Sequence, residues 1–393
     1  MNASKGALLL ICYLGFVSLG LPDTVIGVAW PSVRREFGIE HSAIAWIFFG
    51  SGCSYFISSI FTGRMLRHWN VGVLLAGSSA LVALAEFDFA LARAWPLFAL
   101  GAVLHGLGSG AIDSGLNHYV STHFAARHMN WLHAAYSVGA MLGPLVMTAM
   151  ITWRDSWRSG YMTVAITLLA LAALFIGTRR RWDDPTPAES SVSNKVEQAV
   201  SAREVLRKGM VWMHLVLFFV YTGLEVALGQ WSYTLLTEHR QIAPERAGIW
   251  VSVYWGSILA GRIGFGFVVD RWGVDRLIRL STLAALAGAA LFAWNPHPLL
   301  NPVALAIGGL GLASIFPCLM TRTPQRLGKA VAAHAIGFQL GAAMLGAAAL
   351  PSTVGFIAAN AGLQLAAPAI AMMAACLFLL HEVTLRAAAA KRP

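Results

Sequence analysis

Residues 6–29 read GALLLICYLGFVSLGLPDTVIGVA, an apolar stretch in which Asp23 is the one charged residue. A transmembrane α-helix needs about 20 consecutive apolar residues to cross the hydrocarbon core of a bilayer. The stretch lacks a small-residue cleavage pattern, so we interpret it as a membrane span rather than a signal peptide. Similar stretches follow near 42–62, 71–92, 97–120, 131–152, 159–178, 211–234, 247–268, 275–294, 302–320, 331–353 and 363–384. The sequence therefore predicts an all-α membrane protein with twelve transmembrane helices.

The composition agrees with a membrane protein. Hydrophobic residues make up 57% of the chain and charged residues 12%, whereas typical soluble domains have about 45–50% and about 25%. The net charge of +10 lies mainly between apolar stretches, which indicates orientation in a bilayer rather than nucleic-acid binding. The four cysteines form no CxxC pair, and no P-loop or nucleotide motif is present. We therefore expect no enzyme activity, metal site or cofactor.

One long polar segment, residues 179–208, separates the sixth apolar stretch from the seventh. It opens with RRRWDD and continues with Pro, Ser and Glu, which is typical of a linker. We predict an N-terminal six-helix lobe at 1–178, a cytoplasmic linker at 179–210 and a C-terminal six-helix lobe at 211–393.

The two halves resemble each other weakly. FVSLGL at 16–21 is echoed by FVYTGL at 219–224, and His133-Ala134 is echoed by His334-Ala335. Such matches at corresponding positions are typical of the parallel repeats of two-lobed transporters. Most of the 28 Lys and Arg residues fall on the side of the N-terminus, so we predict cytoplasmic termini in an inner (plasma) membrane protein.

A loop-like motif follows the eighth stretch. Residues 261–273 read GRIGFGFVVDRWG, which resembles the G-x-x-x-D-R-x-G loop of the major facilitator superfamily. The matching segment at 63–69, GRMLRHW, keeps the glycine and basic residues but lacks the acid. We expect a packing or gating role for the motif, the alternative being a solvated loop. The residues concerned are Gly261, Arg262, Asp270 and Arg271.

Three further stretches are most similar to the fucose permease branch, with its hexose–proton and sodium–glucose relatives. They are GLPDT at 20–24, DSGLN at 113–117 and YTGLEVALGQW at 221–231. This resemblance implies a twelve-helix, two-lobed fold and a sugar transporter. Asp113 stands where the fucose permeases have Glu, so its reach and proton affinity differ.

The segment RHMNWLH, residues 127–133, resembles the start of span five in the same family. It adds Asn130 and His133 to the predicted binding residues. Gln339 lies in the eleventh span at a depth roughly equivalent to that of His133. The alternative for His133 is a structural histidine on an apolar face.

Asp113 is the sharpest candidate for proton coupling. A charge at the centre of a membrane helix costs at least about 2.5–3.5 kcal/mol, so a carboxylate tolerated there is a functional candidate. Asn117 lies one helical turn further on the same face, where it can hold a sugar hydroxyl or the protonated acid. The alternative is a buried structural acid that pairs with His105 or His133.

Asp23 follows Pro22, which permits a kink in the first span. Asp23 can bind substrate hydroxyls, couple a cation or cap the broken turn, and we assign it to both proton coupling and substrate binding. Glu86 and Asp88 fall toward the outer end of span three, where we expect a hydrated, mouth-facing position.

Glu225, Gln230 and Trp231 in span seven suit a sugar. Carboxylate and amide groups pair with hydroxyls, and the indole ring can stack on the apolar face of a pyranose. The alternative for Trp231 is a position in the interfacial belt.

These observations predict a secondary active transporter that imports a neutral monosaccharide with a proton and acts as a monomer. Alternatives are an exporter of drugs or sugars by proton antiport, a sodium-coupled sugar transporter, and a membrane receptor without transport.

Overall fold

The structure, a computed structural model, describes residues 3–182 and 202–389. Within these ranges it contains α-helices and short helical turns, and no β-strand. The α-helices are α1 Ala3–Phe37, α2 Ile44–Met65, α3 Val71–Leu91, α4 Trp95–His123, α5 Ala126–Arg154, α6 Trp157–Thr178, α7 Ala202–Leu206, α8 Gly209–Thr234, α9 Pro244–Trp272, α10 Val274–Trp294, α11 Asn301–Ala313, α12 Ile315–Leu327, α13 Lys329–Ala361 and α14 Ala366–Ala389. The predicted all-α fold is confirmed.

Eleven helical segments of the described ranges are long and apolar enough to cross a membrane. These segments correspond to eleven of the twelve predicted spans. The exception is the eighth, α9, whose hydropathy is lowered because Arg262 lies among Gly, Ser and aromatic residues. The predicted tenth span, 302–320, is interrupted at Ser314 between α11 and α12. Pro317 lacks an amide hydrogen and leaves the carbonyl of Ala313 without its helical donor, which explains the interruption.

Polar side chains and glycine mark several helix ends. Asn70 accepts a hydrogen bond from the Val73 amide at 2.8 Å and caps the start of α3. Ser156 does the same for the Ser159 amide at 3.2 Å at the start of α6. Gly273 joins α9 to α10 with a φ of +74°, a conformation that favours glycine.

The G-x-x-x-D-R-x-G stretch differs from the loop that the sequence indicated. Helix α9 continues through Trp272, and Gly273 alone separates it from α10. The predicted end of span eight near residue 268 is therefore too early. Gly273 alone forms the turn between α9 and α10. The residues from 269 to 272 therefore remain part of α9.

Close contacts divide the chain into two compact units. Their ranges are Met1–Ala188 with Ser232–Trp255 for the first unit, and Glu189–Trp231 with Gly256–Pro393 for the second. Of the predicted linker at 179–210, residues 179–182 form a helical turn and 202–206 form α7, while 183–201 lie outside the described residues. The predicted lobe boundaries stay a prediction.

In the first unit, α1 crosses α5 at backbone contact distance. A Cβ atom on Gly20 would overlap the carbonyl oxygen of Tyr136, and one on Gly139 would overlap that of Val17. Small residues at a crossing let two membrane helices approach closely. The crossing places the side chain of Tyr136 beside the middle of α1.

Helices α2 and α4 meet in the same way. A Cβ atom on Gly106 would overlap the carbonyl oxygen of Ser51, and one on Gly110 would overlap that of Tyr55. The glycines of α4 therefore bring α2 close enough for the Tyr55 side chain to reach the polar part of α4.

The second unit repeats this arrangement between α8 and α13. A Cβ atom on Gly346 would overlap the carbonyl oxygen of Phe219. One on Gly223 would come within 2.6 Å of the carbonyl oxygen of Gly346. Each unit thus holds a pair of helices together through glycine contacts.

Candidate functional site

Asp23 lies on α1, which continues as a helix through Pro22. Its neighbour Thr24 donates a hydrogen bond to the carbonyl of Ala140 on α5 at 3.0 Å and so fixes the two helices. The hydroxyl of Tyr136 donates to Asp23 Oδ2 at 2.9 Å. The Asp23 side chain is 34% exposed, so the carboxylate is both oriented and accessible.

His105 links two carboxylates from different helices. Its Nε2 lies 3.0 Å from Asp23 Oδ1, and its Nδ1 lies 3.1 Å from Glu86 Oε1. Glu86 is fully buried. The expected hydrated position of Glu86 is therefore wrong, because α3 turns this residue toward α4 rather than toward the mouth. Asp88, two residues further, is half-buried.

Asp113 has two neutral hydrogen-bond donors. The Tyr55 hydroxyl donates to Oδ2 at 2.7 Å, and the Asn117 amide donates to Oδ1 at 2.9 Å. The contact with Asn117 follows from the spacing of four residues on one helix face. The structural alternative for Asp113 expected a pair with His105 or His133. In the structure, its hydrogen bonds come from Tyr55 and Asn117.

The two acids Asp23 and Asp113 belong to one polar region of the first unit. Asp23 is near enough to act electrostatically on both Asp113 and Tyr55. Four helices, α1, α2, α4 and α5, contribute side chains to this region. The glycine contacts at the two crossings bring these helices together.

Glu225 of the second unit has a different environment. It accepts a hydrogen bond from Tyr221, one turn earlier on α8. Arg262 Nη2 on α9 lies 3.7 Å from Glu225 Oε1. Arg262, predicted as a gating residue, thus lies beside a predicted binding residue, and both side chains are largely buried.

The other predicted residues of α8 are packed inside the second unit. Trp231 is fully buried, and its indole nitrogen donates to the carbonyl of Pro351 at 2.9 Å. Gln230 is also buried, at 5% exposure. An interfacial belt position for Trp231 does not agree with this burial.

Gln339 is fully buried on α13. Its Oε1 accepts a hydrogen bond from Thr323 at 3.1 Å, and its Nε2 lies 3.3 Å from His214 Nδ1. Its contacts therefore tie α13 to α12 and α8 within the second unit.

The remaining predicted residues are more scattered. His133 is exposed and packs edge-on against Phe16, with ring centroids 5.4 Å apart. Gly261 is buried, and a Cβ atom there would overlap that of Ala313, whereas Arg271 is exposed. The side chains of Asn130 and Asp270 lie outside the described part of the chain.

The first unit also has an open cavity of about 490 Å³ that none of the predicted site residues lines. Arg35 and Tyr233 contribute to its wall. At its edge, Arg34 donates to Glu238 at 3.1 Å, and His41 Nε2 lies 3.6 Å from the same carboxylate. These contacts connect the end of α1 to the segment that follows α8.

The sequence reasoning missed several partners. Tyr221 precedes Glu225 by four residues, a spacing that indicates contact on a helix. Tyr55, Tyr136, His105 and Glu86 come from separate helices, and nothing in the local pattern pairs them with Asp113 or Asp23.

The fold is helical and spans a membrane, and each of its two units contains glycine-packed helix pairs and buried acids. These features are those of a multi-pass membrane transporter. The profile of the Major Facilitator Superfamily matches residues 12–351 and 232–393. The chain belongs to this superfamily, which confirms the resemblance seen in the sequence.

Curated relatives cover most of the chain at low identity. Bypass of stop codon protein 6 of Saccharomyces cerevisiae is 23% identical over 90% of this chain and 77% of its own length. Sodium-dependent glucose transporter 1 of Homo sapiens is 21% identical over 87% and 72%. The glucose/mannose transporter GlcP of Bacillus subtilis is 21% identical over 79% and 78%.

Solved structures share the fold. The nucleoside transporter NupG superposes with a TM-score of 0.80 at 14% identity, covering 97% of this chain and 99% of NupG. A D-xylose-proton symporter gives 0.75 at 13% identity, covering 96% and 97%. The family and these structural neighbours are transporters rather than enzymes.

Proposed function

We propose that this transporter moves a small neutral polyhydroxylated solute, a monosaccharide, together with a proton. The observation that carries the proposal is the polar region of the first unit. There Asp113, held by Tyr55 and Asn117, lies in electrostatic range of the accessible Asp23 and its partner Tyr136.

The donors and acceptors of this region suit sugar hydroxyls. A hydroxyl group donates one hydrogen bond and accepts others, so it needs carboxylate or carbonyl oxygens beside hydroxyl or amide donors. Tyr136 and Asn117 supply donors, and Asp23 and Asp113 supply acceptors. The names of the human and Bacillus subtilis relatives, a glucose and a glucose/mannose transporter, support this substrate class.

Proton coupling is proposed for Asp113, with Asp23 assisting. Neutral donors hold Asp113 in place whether or not it carries a proton, because Tyr55 and Asn117 can bond either form after small adjustments. A carboxylic acid that is exposed in turn to each side of the membrane carries one proton per cycle. Alternating access, in which a transporter opens its site first to one side of the membrane and then to the other, provides that exposure.

The other predicted residues enter the proposal with the roles given above. Glu225, Gln230, Trp231 and Gln339, with Asn130 and His133, are proposed to bind substrate. Gly261, Arg262, Asp270 and Arg271 are proposed to act in packing or gating. We propose a monomer in the inner (plasma) membrane with both termini in the cytoplasm.

The test is uptake into proteoliposomes of purified protein. D-glucose, D-mannose, D-xylose and a nucleoside, uridine, are offered under an imposed proton gradient, an imposed sodium gradient or neither. Accumulation of a sugar under the proton gradient, with alkalinisation outside, supports the proposal. The matched control for Asp113→Asn is Asp155→Asn, which changes an acid in the connection between α5 and α6.

Other outcomes favour the alternatives. Accumulation that is driven by the sodium gradient alone identifies sodium as the coupling ion, in line with the name of the human relative. Uptake of a lipophilic dye instead of sugars, in vesicles of inverted orientation, identifies an exporter. Binding of sugars without any flux identifies a receptor.

A further inference from the structure

Glu86 is a fully buried acid with a single hydrogen-bond partner. Its Oε1 lies 3.1 Å from His105 Nδ1, while Oε2 has no partner among the described protein atoms. A buried carboxylate normally uses both oxygens, since an unsatisfied charged group is costly away from water. Glu86 therefore lies in a position that suits a group holding a proton.

The charges around Glu86 also favour a bound proton. Asp23 and Glu86 are two carboxylates that share one imidazole, His105, so the imidazolium can neutralise only one of them. The Tyr161 hydroxyl on α6 is within electrostatic range and has no partner among the described atoms. Asp88 is the other acid on α3. With a neutral imidazole, a proton bound to Asp23 or Glu86 removes one of the two negative charges of the cluster.

We infer that Glu86 is an internal proton-holding site, and that His105 passes the proton between Asp23 and Glu86. The inference rests on the proposed proton symport. Asp23 is the entrance because its side chain is 34% exposed, while those of His105 and Glu86 are 11% and 1% exposed.

The transfer moves one proton and no electrons. A proton bound at Asp23 Oδ1 donates to His105 Nε2, and the Nδ1–H of the neutral imidazole donates to Glu86 Oε1. The O–H bond at Asp23 breaks as an N–H bond forms at Nε2. The N–H bond at Nδ1 breaks as an O–H bond forms at Glu86. The imidazole changes tautomer, and the total charge of the three groups is unchanged.

The transfer restores the Asp23 carboxylate. Asp23 then accepts the Tyr136 hydrogen bond through Oδ2 and can accept one from a substrate hydroxyl. Tyr55 and Asp113 are the other titratable groups in electrostatic range of Asp23. Proton storage at Glu86 therefore prepares Asp23 to bind the solute.

The test uses the full chain purified in detergent and infrared difference spectroscopy, which detects the C=O stretch of a protonated carboxylic acid. Spectra are recorded while the pH is lowered from neutral, in H₂O and in D₂O. Glu86→Gln keeps the size of the side chain and a hydrogen bond to His105 but cannot ionise. Asp88→Asn, on the same helix, is the matched control.

The wild-type protein is expected to show a carboxylic-acid band that Glu86→Gln removes and Asp88→Asn retains. Asp113, the proposed coupling acid, has a band of its own, which Asp113→Asn identifies. A Glu86→Gln spectrum equal to that of the wild type, or the lack of any acid band in the wild type, overturns the proposal. If Glu86→Gln does not fold, Glu86→Asp replaces it. This variant shortens the reach to His105 and is expected to shift the band, and an unshifted band overturns the proposal.

The relay is tested by a pH jump. The band is expected to appear more slowly in His105→Gln than in the wild type, because the path from Asp23 is interrupted. Unchanged kinetics contradict the role of His105. These measurements need no transported solute, so a failure of D-glucose uptake, which counts against the proposed function, still leaves the infrared result to decide on Glu86.

Discussion

Asp113 in the first unit and Glu225 in the second each accept a hydrogen bond from a tyrosine, but their further partners differ. Asp113 has the neutral amide of Asn117, whereas Glu225 has the guanidinium of Arg262 at 3.7 Å. Arginine stays charged at every physiological pH, so Glu225 has a permanent counter-ion. Under the proposed proton symport, this difference assigns proton exchange to the first unit and a fixed ion pair to the second.

The largest expected effect separates these two acids. Asp113→Asn is expected to abolish accumulation of D-glucose under a proton gradient while equilibrium exchange continues, because the amide cannot carry a proton. Glu225→Gln is expected to weaken binding but to leave the proton dependence of uptake intact. Accumulation and exchange are measured in the same proteoliposomes.

The reverse pattern would break the comparison. If Glu225→Gln removed proton dependence and Asp113→Asn preserved it, the coupling group would lie in the second unit. Loss of exchange in both variants would instead indicate that both acids bind the solute directly.

The ion pair itself predicts a loss of stability. Arg262→Gln leaves Glu225 buried without its counter-ion, and removal of one partner of a buried pair costs about 3 kcal/mol or more. The free energy of unfolding in detergent measures this loss. The double variant Arg262→Gln with Glu225→Gln is expected to recover part of it, and a double variant no more stable than the single one would argue against direct coupling.

The glycine crossings predict a similar cost in both units. Gly20→Ala and Gly223→Ala place a Cβ atom against a carbonyl oxygen of the facing helix, and overpacking of this kind costs about 1–3 kcal/mol. Gly77→Ala and Gly337→Ala, where nothing lies within 4 Å of the new atom, are the controls. Equal thermal stability of all four variants would contradict the close crossing.

The smallest effect is expected at Trp231. Trp231→Phe keeps most of the buried ring but loses the hydrogen bond to the Pro351 carbonyl, which is worth about 1 kcal/mol. A thermal-unfolding measurement tests this value, with Trp153→Phe, at an exposed position, as the control. A loss of sugar binding in Trp231→Phe without loss of stability supports the proposed contact of Trp231 with the solute, and unchanged binding argues against that contact.

The sequence was sufficient for the helices and for local contacts along them. Long apolar stretches indicated the spans, and the four-residue spacing of Asp113 and Asn117 indicated their contact. The interruption at Ser314 was missed because the apolar stretch continues through this residue. Its cause, Pro317, is nevertheless visible in the sequence.

Contacts between helices were beyond the sequence. His105 bridges Asp23, 82 positions earlier, and Glu86, 19 positions earlier. Hydropathy is almost the same on all faces of these helices, so no periodicity indicates which face of α3 meets α4. The expected position of Glu86 was wrong for this reason.

Tyr136 has two contacts that together have an evolutionary consequence. Its backbone carbonyl is pressed against Gly20, and its side-chain hydroxyl holds Asp23. A lineage can therefore shift the position of the Asp23 carboxylate by changing the spacing of α1 and α5, without replacing Asp23 or Tyr136. Divergent solute preferences among descendants of this scaffold are then expected to trace to small residues in helix crossings as well as to the binding side chains.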